Sequence, residues 1–149
     1  MMSKKDYEIR MDLTQFLDTI KSFINMPYRW AGDDAVGGFD CSGSVVEALK
    51  SIGYIKEKED FTADGLWKKY SEDYEEQSPS IGSIVFWFDS NGKAIHVAVA
   101  LNQFFCITAD GGGSHVKTEE DAIKYNAFMK YRRIDKRGDG YKSVNLFNV

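Results

Sequence analysis

Gly37-Gly38-Phe39-Asp40-Cys41-Ser42-Gly43 is the stretch of this 149-residue chain that most strongly restricts its fold and its chemistry. The glycines indicate a tight turn, and the cysteine falls in the first turn of a predicted helix. Unpaired backbone N–H groups and the positive pole of a helix N-terminus favour a thiolate over a thiol. The stretch therefore predicts that Cys41 is an activated nucleophile in a hydrolase or an acyl transferase.

The first half of the chain contains three segments in which apolar residues recur at helical spacing. They cover about residues 12–25, 41–52 and 63–70. Asp12 with Gln15 as a capping box, and Thr62 as an N-cap, mark the starts of the first and the third segment. Gly53 marks the end of the second.

The second half consists of short apolar segments separated by turn residues, which is typical of consecutive antiparallel strands. The predicted strands are residues 84–88, 96–101, 104–109 and 127–134, and residues 118–126 form a short helix or turn before the last strand. Helices followed by strands predict an α+β fold. We expect one domain over residues 1–149, with the N-terminal helices packed on a central antiparallel sheet.

Composition and charge argue against several classes of protein. The net charge of −4 does not suit a dedicated nucleic-acid binder. The charged first ten residues lack the apolar run of a signal peptide, and no segment is long and apolar enough to span a membrane. We therefore expect synthesis in the cytoplasm without an export signal. We interpret a C-terminal basic cluster as a solvated face; its members are Lys130, Arg132, Arg133, Lys136 and Arg137.

The two cysteines and two histidines of the chain do not form a zinc pattern, and we expect no metal and no cofactor. Both cysteines are predicted to be free thiols. A cysteine hydrolase needs a base near its thiol, which only two histidines can supply.

His96 is the stronger candidate for that base. It opens a predicted strand in which Ala98 and Ala100 share its face. We expect these small residues to leave room for the helix that begins at Cys41, so that sulfur and imidazole meet. His115 lies in a glycine-rich loop, which we expect to be mobile, and is the weaker candidate.

Four motifs stand in order along the chain. They are Pro27-Tyr28-Arg29-Trp30-Ala31-Gly32, Gly38-Phe39-Asp40-Cys41-Ser42-Gly43, Ile84-Val85-Phe86-Trp87 and His96-Val97-Ala98-Val99-Ala100-Leu101. In this order they resemble the NlpC-type cell-wall peptidases, which are papain-like cysteine hydrolases. The resemblance extends over about residues 13–134, and its most specific element is Asp-Cys-Ser-Gly. It implies a papain-like fold.

The resemblance also implies roles for individual residues. Cys41 would attack an amide of the peptidoglycan stem peptide, often the bond between D-glutamate and the diamino acid, and His96 would be the base. Tyr28 would help to hold the tetrahedral intermediate or the substrate. Asp40 and Ser42 would contact the peptide.

The third catalytic position of the family is a polar residue, commonly histidine, on the strand after the base. Aligning His96 with the family's base places Thr108 there. The hydroxyl of Thr108 can accept a hydrogen bond from the imidazole, but it carries no charge to stabilise imidazolium. Thr108 would therefore orient the base only weakly, and Asp110 is the alternative.

Tryptophans can stack on substrate rings or fill the core. We expect Trp87 in the core. Trp30 is open between the two interpretations, and we include it among the candidate substrate-binding residues.

The segment Ala109-Asp110-Gly111-Gly112-Gly113-Ser114 resembles one with which phage-encoded members of such families often end. This resemblance implies a phage-like form. A wall substrate without an export signal implies delivery by lysis, by a lysis partner or by a phage tail. Two other functions stay open. One is a catalytically weak module that binds wall peptide or belongs to a phage tail, and the other is an acyl transferase or deamidase.

Overall fold

Four α-helices and two antiparallel sheets make up the part of the chain that a computed structural model describes, residues 2–30, 32–34, 38–138 and 140–148. The helices are α1 (Lys4–Ser22), α2 (Cys41–Ser51), α3 (Ala63–Ser71) and α4 (Glu119–Tyr125). The strands are β1 (Asp33–Asp34), β2 (Gly38–Phe39), β3 (Ile84–Phe88), β4 (Ala94–Ala100), β5 (Phe105–Asp110), β6 (Phe128–Arg133) and β7 (Tyr141–Val144). Ala31 and Gly37, which belong to the quoted motifs, lie outside the described residues.

Helix α2 begins at Cys41, as predicted, because Asp40 caps it. The Asp40 carboxylate accepts a hydrogen bond of 2.7 Å from the backbone N–H of Gly43. The helix ends at Ser51, and Gly53 follows with a φ of 76°. The start of α3 after its Thr62 cap is likewise confirmed.

Helix α1 differs from its prediction at both ends. It begins at Lys4, where Ser3 and Asp6 form a reciprocal capping box, and it ends at Ser22. Asp12 is not a cap, and its carboxylate accepts a hydrogen bond from the Tyr54 hydroxyl. The apolar repeat could not reveal the first turns because their residues are mostly exposed and polar. None of the described helices is long and apolar enough to cross a lipid bilayer.

The five-stranded sheet has the order β6-β5-β4-β3-β7, and all neighbouring strands are antiparallel. Strands β3 to β6 are the four that the sequence predicts, with ends shifted by at most two residues. Strand β7 was not predicted from the sequence, and it pairs with β3 from Ile84 opposite Val144 to Trp87 opposite Tyr141. The α+β class and the helices packed on an antiparallel sheet are confirmed.

The helices pack on one face of the sheet, and that face is not the one that carries His96. Val97 and Val99 of β4 share a core cluster with Leu49 of α2. Ala98 and Ala100 belong to a second cluster on the other face, which they share with Val85, Trp87, Cys106 and Ile134. The expectation that α2 fits beneath the alanines is therefore wrong. The valines offer the helices more apolar area to bury.

Gly111 directly follows β5 and packs against Asn126, which caps the end of α4. Its φ is +85°, and an added Cβ would lie 2.8 Å from the carbonyl oxygen of Asn126. Gly92, in the β3–β4 turn, has a similar φ of +79° but no atom within 4 Å of such a Cβ. The two glycines differ in packing more than in backbone conformation.

We predict that Gly111→Ala destabilises the protein more than Gly92→Ala. Both substitutions cost about 1 kcal/mol for the left-handed backbone conformation. Gly111→Ala costs about 1–3 kcal/mol more because backbone must move to relieve the contact with Asn126. Urea unfolding measures both free energies, and equal losses of stability would contradict the packing described.

Candidate active site

Cys41, His96 and Tyr28 line one open cleft of about 540 Å³. The other predicted substrate-binding residues, Trp30, Asp40 and Ser42, line it too. Thr108 lies behind His96, in the wall of a smaller cavity on the other face of the sheet. No cluster of three His, Cys, Asp or Glu side chains suited to a metal occurs within the described ranges.

Cys41 is a free, partly buried thiol at the first position of α2. Its sulfur interacts with the backbone N–H groups of Ser42 and Val97, which places it beside the residue that follows His96. Cys106, the other free thiol, is buried in the second core cluster. Both cysteines are therefore free, as predicted.

The electrostatic surroundings of Cys41 contradict the predicted thiolate. Burial raises the pKa of the Cys41 thiol to about 11, and the charge of Asp40 adds to that rise. The two backbone N–H groups and Arg137 act in the opposite direction but do not overcome burial. The group at rest is a neutral thiol.

A β-bulge places His96. Trp87 pairs with His96, but Phe88 pairs with Ala94, so Ile95 is the extra residue of β4. Ile95 is 52% exposed and lines the cleft, whereas His96 is only 5% exposed. The His96 ring packs against Trp87 with a centroid separation of 5.4 Å. The bulge at Ile95 changes the direction in which the neighbouring His96 side chain points. The alternation of apolar and polar residues in the sequence does not reveal this bulge.

His96 is neutral at rest. Burial lowers the pKa of its imidazole to about 3, and Arg137 and Arg132 lower it further against the opposing charge of Asp110. A neutral ring is one that can accept a proton from a thiol. The cleft therefore holds a neutral imidazole and an undissociated thiol.

The hydrogen bonds of Thr108 favour one tautomer of His96. Thr108 Oγ1 lies 2.9 Å from His96 Nε2 and donates its one proton to the carbonyl oxygen of Val97 at 3.1 Å. Its oxygen must then accept a hydrogen bond from the ring, so Nε2 carries the hydrogen. Nδ1 then keeps its lone pair and can accept a hydrogen bond.

Asp110, the alternative partner of His96, has other partners. Its carboxylate forms ion pairs with Arg132 and, at 3.5 Å, with Arg137. Burial alone would raise the pKa of Asp110, but Arg132 and the N–H of Gly111 hold it below its usual range. Asp110 therefore stays charged and acts on His96 through space, while Thr108 makes the contact.

Tyr28 is held at the cleft by backbone pairing. Its N–H donates to the Ala127 carbonyl, Asn25 N–H donates to Met129, and Pro27 bridges to Phe128, so residues 25–28 extend the sheet beside β6. Burial raises the pKa of the Tyr28 hydroxyl above its usual range, and the charges of Cys41 and Asp40 act in the same direction. The Tyr28 hydroxyl therefore stays protonated at every ordinary pH and can donate a hydrogen bond.

The glycine-rich loop is packed rather than free at the cleft rim. A Cβ on Gly112 would overlap the Tyr28 ring, so only glycine allows this approach. His115 stacks edge-on against Tyr125 at 4.4 Å, outside the described lining of the cleft. This agrees with its rank as the weaker candidate.

The remaining candidates differ in what they offer a ligand. Trp30 is 52% exposed on the cleft, which settles its position outside the core, and Trp87 is buried as predicted. The Asp40 carboxylate is engaged as the cap of α2, and the Ser42 hydroxyl lies 3.4 Å from it. Arg137 lines the cleft too, although its place in a basic cluster predicts a solvated face.

The sequence resembles known proteins at the level of the family. The sequence matches the NlpC/P60 family model over residues 25–134. No curated protein sequence gives a significant match.

Several solved structures have a similar fold at low sequence identity. The peptidoglycan hydrolase RipB of Mycobacterium tuberculosis is 16% identical with a TM-score of 0.69, over 99% of this chain and 70% of that one. The P60 domain of an antigen of M. avium subspecies paratuberculosis is 16% identical with a TM-score of 0.66, over 95% and 98%. An NlpC/P60 family protein of Bacillus cereus ATCC 10987 is 18% identical with a TM-score of 0.62, over 91% of this chain and 40% of that one.

We predict that Thr108→Val changes the tautomer of His96. Valine has a similar shape but no hydroxyl, and a hydrogen bond worth about 1 kcal/mol shifts the tautomer ratio roughly fivefold. Nitrogen NMR of the imidazole at neutral pH measures the ratio, and a His115→Gln variant assigns the signals. Thr108→Ser keeps the hydroxyl and should keep Nε2 protonated. An unchanged ratio in Thr108→Val would contradict the assignment.

We also predict the pH dependence of thiol alkylation. In a Cys106→Ala variant, Cys41 is the one remaining thiol. Because its pKa is raised to about 11, the thiolate fraction and the iodoacetamide rate should rise about tenfold per pH unit from pH 6 to pH 10. For free cysteine, measured in parallel, the rate should be half-maximal near pH 8.5 and level off about one pH unit above that. A plateau of the protein rate below pH 8 would instead indicate a thiolate–imidazolium pair at rest.

Proposed function

The chain belongs to the NlpC/P60 family, and from this premise we propose that it is a peptidoglycan hydrolase that acts as a cysteine endopeptidase. One observation carries the proposal. Cys41 and His96 line the same cleft, and Thr108 leaves Nδ1 of His96 free to accept a proton. That RipB, a protein of similar fold, is a peptidoglycan hydrolase supports the choice of substrate.

The first half of the proposed reaction forms a thioester. Nδ1 of His96 removes the proton of Cys41 as the sulfur attacks the carbonyl carbon of the amide. The Tyr28 hydroxyl, which stays protonated, donates a hydrogen bond to the oxyanion or to the bound peptide. The imidazolium then gives its proton to the leaving nitrogen, the C–N bond breaks, and the amine departs.

The second half restores the enzyme. His96 takes a proton from a water molecule as the water oxygen attacks the carbonyl carbon of the thioester. The C–S bond then breaks and releases the acid. The thiolate recovers its proton from the imidazolium. Neutral pH lies below the pKa of Cys41, about 11, and above the pKa of His96, about 3, so the resting groups are a neutral thiol and a neutral imidazole. Proton transfer between them is uphill in the resting site, and in the proposed reaction it accompanies attack on the carbonyl carbon.

We assign the scissile bond to the stem peptide, between D-glutamate and the diamino acid. The support is the motif resemblance together with a cleft that carries both charge signs, from Asp40, Lys93 and Arg137. Since this substrate is a wall polymer, the protein would act at the cell wall. The phage-like form, and delivery by lysis, by a lysis partner or by a phage tail, stay predictions.

A second function is favoured by the electrostatics of the site. Burial of Cys41 opposes thiolate formation, and Thr108 offers no charge to stabilise imidazolium. Both features suit a catalytically weak module that binds wall peptide, in the wall or in a phage tail. An acyl transferase would use the same thiol and base with an amine as acceptor, whereas a deamidase would use them to release ammonia from an amide with water as acceptor. The reaction products distinguish both from an endopeptidase.

We predict that Cys41→Ala abolishes the release of free amino groups from purified peptidoglycan. The loss should be about a thousandfold or more, because no other group can form the thioester. Cys106→Ala is the matched control, since this thiol is buried in the second core cluster, and it should keep activity within about twofold.

Two outcomes would contradict this mechanism. Full activity of Cys41→Ala would exclude the thiol as nucleophile. Sedimentation of the wild-type protein with peptidoglycan, without release of amino groups, would favour the binding module.

A further inference from the structure

Arg137 reaches the cleft from outside the segment that matches the family. It is the last residue of a short 3₁₀ helix, Ile134–Arg137, that follows β6, whereas the family match ends at residue 134. Its side chain is 38% exposed and lines both the cleft that contains Cys41 and the small cavity behind His96. Arg137 therefore lies between the cleft proposed to bind substrate and the residues behind His96.

The ion pairs around Asp110 leave Arg137 available to a ligand. One carboxylate faces two guanidinium groups, and Arg132 makes the closer contact with it. Arg137 is held more loosely, with its Nη2 3.5 Å from Asp110 Oδ1. Asp110 thus fixes the position of Arg137 without consuming all of its donors, because a guanidinium offers five N–H groups.

Arg137 is also close enough to act on the reacting groups. Its charge lowers the pKa of Cys41, of Tyr28 and of His96. An anion bound to Arg137 would therefore lie near the amide that Cys41 attacks. Arginine is the side chain best suited to hold a carboxylate by two parallel hydrogen bonds.

We propose that Arg137 binds a free carboxylate on the acyl side of the scissile amide. This inference rests on the proposed function and names its substrate more closely. When D-glutamate is linked through its γ-carboxyl group, its α-carboxylate remains free beside the chain that leads to the scissile carbonyl. Arg137 would select peptides that keep this carboxylate over peptides in which it is an amide.

Lys93 is the other described cation in the cleft lining. It lies in the exposed β3–β4 turn, and the structure shows no ion pair between its side chain and a carboxylate among the described residues. A flexible, strongly hydrated ammonium group discriminates carboxylate from amide less well than a positioned guanidinium. Selection of the free carboxylate therefore falls to Arg137, and Lys93 serves as a control.

The test uses two synthetic stem peptides that differ only in a carboxylate or a carboxamide on the γ-linked D-glutamyl residue. Calorimetry with a Cys41→Ala protein measures binding without turnover, and wild-type kinetics measure kcat/KM. We expect the carboxylate peptide to bind about tenfold more tightly or better. Arg137→Gln in the same background should reduce this preference to near one by weakening the carboxylate peptide alone.

Matched variants separate this role from the support of Asp110. Arg132→Gln removes the closer partner of Asp110, but Arg132 is not among the described residues that line the cleft, so the preference should persist. Lys93→Gln should also keep it. Loss of the preference in Lys93→Gln, its persistence in Arg137→Gln, or equal or undetectable binding of the two peptides to the Cys41→Ala protein would overturn the inference.

The two proposals fail separately. If the preference appears in binding and disappears in Arg137→Gln while wild type cleaves neither peptide, Arg137 is the carboxylate site and the hydrolase proposal is wrong. If both peptides are cleaved at equal rates and bind equally, the hydrolase proposal stands and the role of Arg137 is wrong.

Discussion

The contact between the start of α2 and strand β4 is the constraint on which the site depends. The sulfur of Cys41 interacts with the backbone N–H of Val97, while the apolar side of α2 shares the core with the side chains of β4. Asp40 fixes the first turn of the helix, so the thiol cannot shift along it. A buried core thereby holds the Cys41 thiol against the strand that carries His96, and the same burial keeps both groups neutral.

The support of His96 shows how a tautomer can be set without a charge. A carboxylate or amide oxygen would accept the hydrogen bond of the imidazole directly. The Thr108 hydroxyl accepts it because its own proton is donated to a backbone carbonyl. Because the Val97 oxygen takes the only hydroxyl proton, the ring must donate to Thr108. Asp110 adds a negative charge at longer range, and two arginines offset it. Orientation and charge, which one residue supplies in many hydrolases, are here divided between two.

Local sequence patterns predicted most of the helices and strands. The features that they did not predict depend on contacts between segments that are distant in the sequence. Apolar spacing and the Asp40 cap locate α2, and turn residues separate strands β3 to β6. The bulge at Ile95 leaves no trace in alternation, because it depends on how β4 pairs with β3. The direction of the Cys41 pKa depends on the burial of the thiol by the whole fold. Arg137 appeared as one charge in a basic run, and only the folded chain brings it to the cleft.

The backbone pairing of residues 25–28 with residues 127–129, at the start of β6, has a consequence beyond the placement of Tyr28. Strand β6 is the last strand of the sheet, and its outer N–H and C=O groups would otherwise be open to another chain. The segment that carries the tyrosine thus also covers the first part of this margin, where another chain could otherwise pair. Substitutions near Tyr28 that loosen the pairing would make the protein prone to aggregate, so a loss of soluble yield there is not by itself a sign of lost chemistry.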